Sequence, residues 1–261
     1  MKLVKLENVT YNGTYARNAV QTNKNCGVIL KADDQVIIKN VTFTQASCPG
    51  DNEGVSPAAQ RYNGIEIGLN NGTRVYRPKK IDIENVRFEG QISNNAILIF
   101  DCADNAVINI KNCYFNKVSN AIRFSNYSMS KNVTINIEDC VINQWESRPA
   151  FDGWQGFMLL EDYRGDHNSV LDLAKCFGKE TGLVINIKNL TLPDGILYTQ
   201  EDVEGSLGLI EDRTKMVINA CVDHADGNPH TVSEFGGLNA FPTINVSPLK
   251  KEIVGPVTEG E

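Results

Sequence analysis

The sequence predicts an all-β solenoid, and the main observation behind that prediction is an octet that recurs along the chain. The octet reads apolar, any residue, apolar, charged, Asn or Asp, apolar, any residue, apolar. Apolar residues alternate on each side of the Asn, which is the pattern of two short strands that meet at a corner. Asn is the non-glycine residue that best tolerates the left-handed backbone of a sharp corner. The six copies, the first with one apolar position lost, occupy residues 4–11, 36–43, 81–88, 108–115, 135–142 and 185–192.

The spacing of the octets predicts that successive copies stack. Asn112 follows Asn85 by 27 residues, and Asp139 follows Asn112 by 27 residues. Self-similarity at such a period indicates a solenoid, in which each coil contacts only its neighbours. We therefore expect the corner residues to form one column whose side chains bond to neighbouring backbone. A further apolar segment accompanies the octets, at residues 27–30, 63–67, 95–99, 120–124, 156–160 and 206–210.

The residue before each corner alternates in charge along the chain. Strands that neighbour each other in a sheet lie about 4.8 Å apart, so like charges at this position would repel and opposite charges attract modestly. The alternation therefore predicts that the octets stack consecutively, with no additional coil between them. The six residues are Glu7, Lys39, Glu84, Lys111, Glu138 and Lys188.

Three strands per coil, with an Asn at the second corner, resemble the right-handed parallel β-helix of the pectate-lyase-like superfamily. The resemblance covers residues 1–222 and implies one single-stranded β-helix of about six coils. Residues 223–261 lose the repeat and are predicted to form a C-terminal cap and an irregular, extended tail. One short helical insertion is expected within residues 166–180, ended by Gly178. This fold hosts lyases, hydrolases, adhesins and phage tailspikes, so the resemblance does not fix the function.

The composition of the chain argues against some classes of function. The net charge of −7 argues against a nucleic-acid-binding surface. The chain has no apolar run long enough to span a membrane, and its first residues lack the apolar stretch of a secretion signal. Cys113 and Cys140 follow their corners and are predicted to be buried free thiols. Phe43, Phe88 and Phe115 share an octet position and are predicted to be buried together.

The outward positions of the first strand of each coil bear on whether the protein is an enzyme. The lyases and hydrolases of the superfamily use clustered acidic residues there, as calcium ligands or acid–base groups. Here the outward positions hold one carboxylate, Glu66, and one guanidinium, Arg123, among apolar residues. A sheet face this apolar needs a cover, supplied either by the chain's own loops and tail or by another protein. The apolar residues expected outward are Ile29, Leu98, Phe100, Met158, Leu160 and Ile210.

The connections between coils are uneven in length and predict a valley. Long connections at residues 44–62 and 143–155 flank short ones at 89–94 and 116–119. The second wall carries Trp145, Arg148 and Trp154, and aromatic and Arg side chains on loops are typical anchors for a partner or a sugar ring. The alternative interpretation is a small local core that holds the long loop to the rod. Asp101 and Asp104 are interpreted as residues of a solvated turn.

Two function hypotheses follow. The favoured one is a non-enzymatic structural protein of a bacteriophage virion, a head decoration, fiber or tail-associated protein, which the chain loosely resembles. Its partners would be other virion proteins or its own copies, without membrane, nucleic acid, metal or cofactor, and it would reside in the virion after synthesis in the host cytoplasm. The alternative is a carbohydrate-active lyase, depolymerase or glycan-binding module, with Glu66, Asp101 and Arg123 as the enzyme candidates. The candidate contact residues for a partner or a surface glycan are Leu98, Phe100, Arg123, Met158, Trp145, Arg148 and Trp154.

Overall fold

The computed structural model describes residues 2–11, 26–44, 63–68, 76–145, 156–161, 175–193, 200, 218–221 and 241–247. These residues are mostly in strands, all paired in parallel. In chain order the strands are β1 (Leu3–Tyr11), β2 (Cys26–Leu30), β3 (Gln35–Phe43), β4 (Asn63–Ile67), β5 (Lys80–Ile99), β6 (Val107–Lys111), β7 (Tyr114–Phe124), β8 (Thr134–Glu138), β9 (Val141–Trp145), β10 (Gly156–Glu161), β11 (Val184–Lys188), β12 (Ile218–Cys221) and β13 (Thr243–Ser247).

The strands fall into three stacks, which we call the first, second and third sheets. The second sheet contains the half-octets before each corner, in the order β1, β3, β5, β6, β8, β11, β13. The third sheet contains the half-octets after the corner, in β1, β3, β5, β7 and β9. The first sheet contains β2, β4, the ends of β5 and β7, β10 and β12. This arrangement is solenoid-like and compatible with a parallel β-helix.

The corner column is confirmed. All six corner residues have a left-handed backbone, with φ between 50° at Asn112 and 61° at Asn189. The amide of Asn40 donates to Asn8 Oδ1 at 2.9 Å, and that of Asn85 donates to Asn40 Oδ1 at 3.0 Å. The bonds therefore run from side chain to side chain, whereas the sequence predicted bonds from side chain to backbone. Asn112 bonds Asn85 at 2.6 Å, and Asn189 bonds Asp139 at 2.8 Å.

The interior column of aromatic rings is also confirmed. Phe43, Phe88 and Phe115 are fully buried, and successive ring centroids lie 4.9 and 5.4 Å apart in nearly parallel planes. Cys113 and Cys140 are buried free thiols, as predicted. Because each octet position stacks on the same position of the next octet, one residue type repeated in the sequence becomes one column in the core.

The charge alternation correctly predicted consecutive stacking. Glu7 lies opposite Lys39, which lies opposite Glu84, and the order continues without interruption to Lys188. The Lys39 ammonium lies 2.8 Å from the Glu84 carboxylate. Glu138 lies between two lysines, 3.4 Å from Lys111 Nζ and 2.7 Å from Lys188 Nζ.

Three elements differ from or add to the sequence expectation. The strand beside β10 is β12, whereas the sequence predicted residues 206–210 there, which lie outside the described residues. The short connections at 89–94 and 116–119 lie within the long strands β5 and β7. Strand β13 adds a strand to the second sheet beyond the last octet, with Asn245 beside Asn186. The expected helix ends as predicted, since residues 175–177 are helical up to Gly178, and the 3-10 helix Lys179–Thr181 follows.

Candidate functional site

The outward face of the first sheet is buried within the single chain. One column on this face contains Ile29, Glu66, Leu98, Arg123 and Leu159 in register. Ile29 at the end of the sheet is 38% exposed, whereas Leu98 is 3% and Arg123 2% exposed. The chain itself therefore covers this face, and no second protein is needed to remove the apolar stripe from water.

The prediction that Met158 and Leu160 point outward is wrong. Met158 is in register with Ile122 and belongs to the core, and Leu160 lies two residues further on the same inward side. Leu159 takes the outward position beside Arg123. The segment around these residues is apolar at every position, so alternation could not reveal which residues face inward.

Leu98 lies in the outward column as predicted, and Phe100 follows two residues later, but neither side chain is accessible. Phe100 is 7% exposed, and its ring centroid lies 6.1 Å from that of Tyr127. Its backbone N–H donates to the carbonyl of Ile67 at 2.8 Å. These two side chains therefore contribute packing to the first sheet, and contact with a partner through them stays a prediction.

Glu66 is the carboxylate placed at the centre of this face. It is 6% exposed, and its Oε1 accepts a hydrogen bond from Asn63 Nδ2 at 2.7 Å. Burial raises the pKa of the Glu66 carboxyl, and this effect outweighs the opposing effects of the Asn63 bond and the positive charge of Arg123. Arg123 stands two strands away in the same column, with Leu98 between them.

Asn63, which binds Glu66, is the first residue of a buried column of asparagines. This ladder was not predicted from the sequence. Asn95 donates its amide to Asn63 Oδ1 at 2.8 Å, and its backbone N–H donates to the same oxygen at 3.3 Å. Asn120 is next in register and fully buried, and its side-chain amide has no hydrogen-bond partner among the described residues. Gly156 follows, so the column has no amide on its far side. The signal was present, because three successive segments of the first sheet begin with Asn.

Asp101 lies in a turn beside this face, and the expectation that the turn is solvated is wrong for it. Its side chain is fully buried, whereas that of Asp104 is 60% exposed. Oδ1 of Asp101 accepts the backbone N–H groups of Cys102 at 3.0 Å and Ser128 at 3.2 Å, and Oδ2 accepts the Ser128 hydroxyl. Burial raises the pKa of Asp101 despite these bonds and the nearby charge of Arg77. The carboxylate thus joins two turns of the chain.

Of the three residues named for the predicted aromatic wall, Trp145 is the one that the structure describes. Trp145 is half-buried at the end of β9, in register with Val118 and packed against the core. This packing fits the alternative of a local core better than a free anchor. Arg148 and Trp154 lie outside the described residues, as do residues 45–62 of the other wall.

A second polar ladder, which was not predicted from the sequence, runs along the outward face of the second sheet. Asn109 donates to Asp82 Oδ1 at 2.8 Å, and Asn136 donates to Asn109 at 3.0 Å. The ladder continues through Asn186 and Asn245, each bond being 2.9 Å long. Its signal was the second position of the octet. An open groove beside its start has a volume of about 210 Å³ and is lined by Lys39, Lys80, Asp82, Ile83, Glu84, Asn109 and Lys111.

Comparison of the chain with protein-family models, with curated proteins and with solved structures finds no match. Among the described residues, no three His, Cys, Asp or Glu side chains are grouped so that they could hold a metal ion. In the same part of the chain, no helix has the length and apolar character needed to cross a membrane.

Proposed function

We propose that this protein is a non-enzymatic structural component of a bacteriophage virion, built as a right-handed parallel β-helix and acting through protein–protein assembly. In this proposal the three sheets are the faces of one rod, and each 27-residue period of the octet region is one coil. The protein would be made in the host cytoplasm and retained in the particle as a decoration, fiber or tail-associated protein.

The observation that supports the proposal is that the two carboxylates an enzyme would need are buried and hydrogen-bonded within the chain itself. Glu66 is buried and bound to Asn63, and Asp101 is buried and bound to Cys102 and Ser128. A polysaccharide chain must reach an acid–base group within hydrogen-bond distance. Carboxylates enclosed by their own chain are suited to holding a rigid rod together, which is what an assembly component requires.

Two measurements together test the proposal: whether the chain is present in particles, and whether it cleaves polysaccharides. Particles would be purified from the producing culture, and the chain quantified in them by mass spectrometry. In parallel, the purified chain would be incubated with a panel of acidic and neutral polysaccharides. We expect the chain in stoichiometric amounts in particles and no new chain ends in any polysaccharide. Absence from particles would overturn the virion assignment.

The second candidate function, a carbohydrate-active β-helix, is supported by one observation. Burial raises the pKa of the Glu66 carboxyl, and a raised pKa favours the protonated form that a general acid of glycosidic chemistry needs. Cleavage of a polysaccharide that is lost on Glu66→Gln, and retained on Glu84→Gln of the exposed second sheet, would establish this function in place of the first.

A further inference from the structure

The two ends of the second sheet differ in how their edge strands are covered. At one end, the side chain of Gln200 lies along the outer edge of β13. Its Oε1 accepts the N–H of Val246 at 2.9 Å, and its Nε2 donates to the carbonyl of Ile244 at 3.4 Å. One amide side chain thus binds two of the outward backbone groups, at Ile244 and Val246, that a further strand would use. This end is closed to strand addition.

The other end is formed by β1, which pairs with β3 alone among the described strands. The carbonyl of Lys2 accepts the N–H of Gln35, so it points toward β3. Backbone groups alternate in direction along a strand. Residues 4 and 6 therefore also bond toward β3, and the N–H and C=O groups of Leu3, Lys5 and Glu7 point away from the rod.

The apolar interior is also open at this end. Val4, Leu6 and Tyr11 are only half-buried, and Val9 is 36% exposed. The residues in register with them on β3 are fully buried, because β1 covers them. Open apolar ends of solenoids are normally capped or paired. The four covered residues of β3 are Val36, Ile38, Val41 and Phe43.

The charges on β1 favour a second copy of this chain as the partner strand and determine the register of the pairing. A second copy that approaches antiparallel, with Leu6 opposite its equivalent, places each Lys5 opposite the Glu7 of the other copy. These residues carry the outward-pointing backbone groups, so each such pair is also a hydrogen-bonded pair of an antiparallel ladder. Shifting the centre to Lys5 would place two lysines together. Centring between Lys5 and Leu6 would oppose inward and outward side chains.

We propose that two copies of this chain form a head-to-head dimer through antiparallel pairing of β1 centred on Leu6. The dimer continues the apolar interior from one rod into the other, with Leu6 of each copy at the junction. A head-to-tail arrangement would need the edge of β13 that Gln200 occupies. This contact does not rest on the proposed function, because an enzyme or a binding module could dimerise in the same way.

The test is a charge exchange between two variants of the full chain, followed by sedimentation equilibrium against the single-chain mass of 28.8 kDa. The wild-type chain is expected to be a dimer. Glu7→Lys gives a strand with two lysines, and Lys5→Glu gives a strand with two glutamates, so each variant alone faces like charges. We expect each to dimerise roughly tenfold or more weakly than wild type. Mixed in equal amounts, the two variants are expected to form a heterodimer.

The mixing experiment separates loss of this contact from loss of the fold. A variant that had lost its fold could not be rescued by its partner variant, and circular dichroism of each variant alone checks the fold directly. Lys111→Glu, an exposed change in the middle of the second sheet, is the matched control and should remain dimeric. A monomeric wild type would mean that another part of the chain or a different protein covers β1, and would overturn the proposal. So would single variants that dimerise as strongly as wild type, or a mixture that stays monomeric.

Discussion

The second and first sheets use the same residue type, glutamate, under opposite physical conditions. Glu138 on the second sheet lies between Lys111 and Lys188, and the hydrogen bond from Lys188 is the main cause that lowers its pKa. Glu66 on the first sheet is buried, and the loss of water raises its pKa. The second sheet thus has repeated, partly exposed charge pairs, whereas Glu66 and Arg123 of the first sheet each occur once in their column and are buried.

The two sheets differ in whether their columns repeat the same kind of residue. In the octet region the charged column alternates Glu and Lys, and the corner column contains only Asn or Asp, so successive octets are stabilised in the same way by their neighbours. The first sheet has Glu66, Leu98 and Arg123 in one column, three chemically unlike residues. A solenoid does not need such a column to fold. We infer that the features particular to this protein lie on the first-sheet side.

The largest effect is expected from breaking the aromatic column of the octet region. Phe88 is fully buried between Phe43 and Phe115, and Phe88→Ala should lower the free energy of unfolding by roughly 3–5 kcal/mol. Urea denaturation followed by circular dichroism measures it. Val141→Ala, at a third-sheet position that is 36% exposed, is the control and should change stability far less. A loss below about 1 kcal/mol at Phe88 would show that the interior columns are not formed as described.

The next effect tests the enclosed carboxylate of the first-sheet side. Asp101→Ala leaves the N–H groups of Cys102 and Ser128 without their acceptor in a buried turn, and should cost about 1–3 kcal/mol. Asp101→Asn retains an acceptor oxygen and should cost less. Asp104→Ala, in the same turn but exposed, is the matched control. Unchanged stability of Asp101→Ala would show that this carboxylate does not hold the turn as described.

Much of the second and third sheets could be predicted from the sequence, because a repeated pattern contains the same information several times. The corner residues, the stacked phenylalanines and the charge order all follow from one octet. The first sheet could be predicted only in part, since Glu66, Leu98 and Arg123 lie outward as predicted but the segment at 156–160 has no polar residue and gives no alternation to follow. The burial of Asp101 and the closure of β13 by Gln200 depend on contacts between distant parts of the chain, for which a short local pattern has no signal.

The third prediction uses pH to compare the two sheets. Because burial raises the pKa of Glu66, its protonated form is favoured in the folded state. Its contribution to stability is full below the ordinary value of 4.5 and is lost as pH rises through the raised pKa. Glu66→Gln should therefore lose stability less steeply than wild type as pH increases above about 4.5. Thermal unfolding at closely spaced pH values measures the difference.

Glu138→Gln provides the matched comparison with the opposite sign. The lowered pKa of Glu138 means that its contribution is present above the ordinary value of 4.5 and is lost as pH falls through the lowered pKa. The two variants should therefore differ from wild type at opposite ends of the pH range. Parallel profiles for Glu66→Gln and wild type would show that Glu66 is not enclosed as described.

The smallest effect is expected from the charge column itself. Glu138→Lys places a third lysine beside Lys111 and Lys188, so the attraction within the column becomes repulsion. These side chains are partly exposed, and the resulting loss of stability should be small at ordinary ionic strength. Salt is the sharper measurement, because the screening length falls from about 10 Å at 0.1 M to about 3 Å at 1 M salt. The difference in melting temperature between Glu138→Lys and wild type should therefore shrink as salt is added. A difference that persists at high salt would mean that the column acts through packing of the side-chain stems and not through charge.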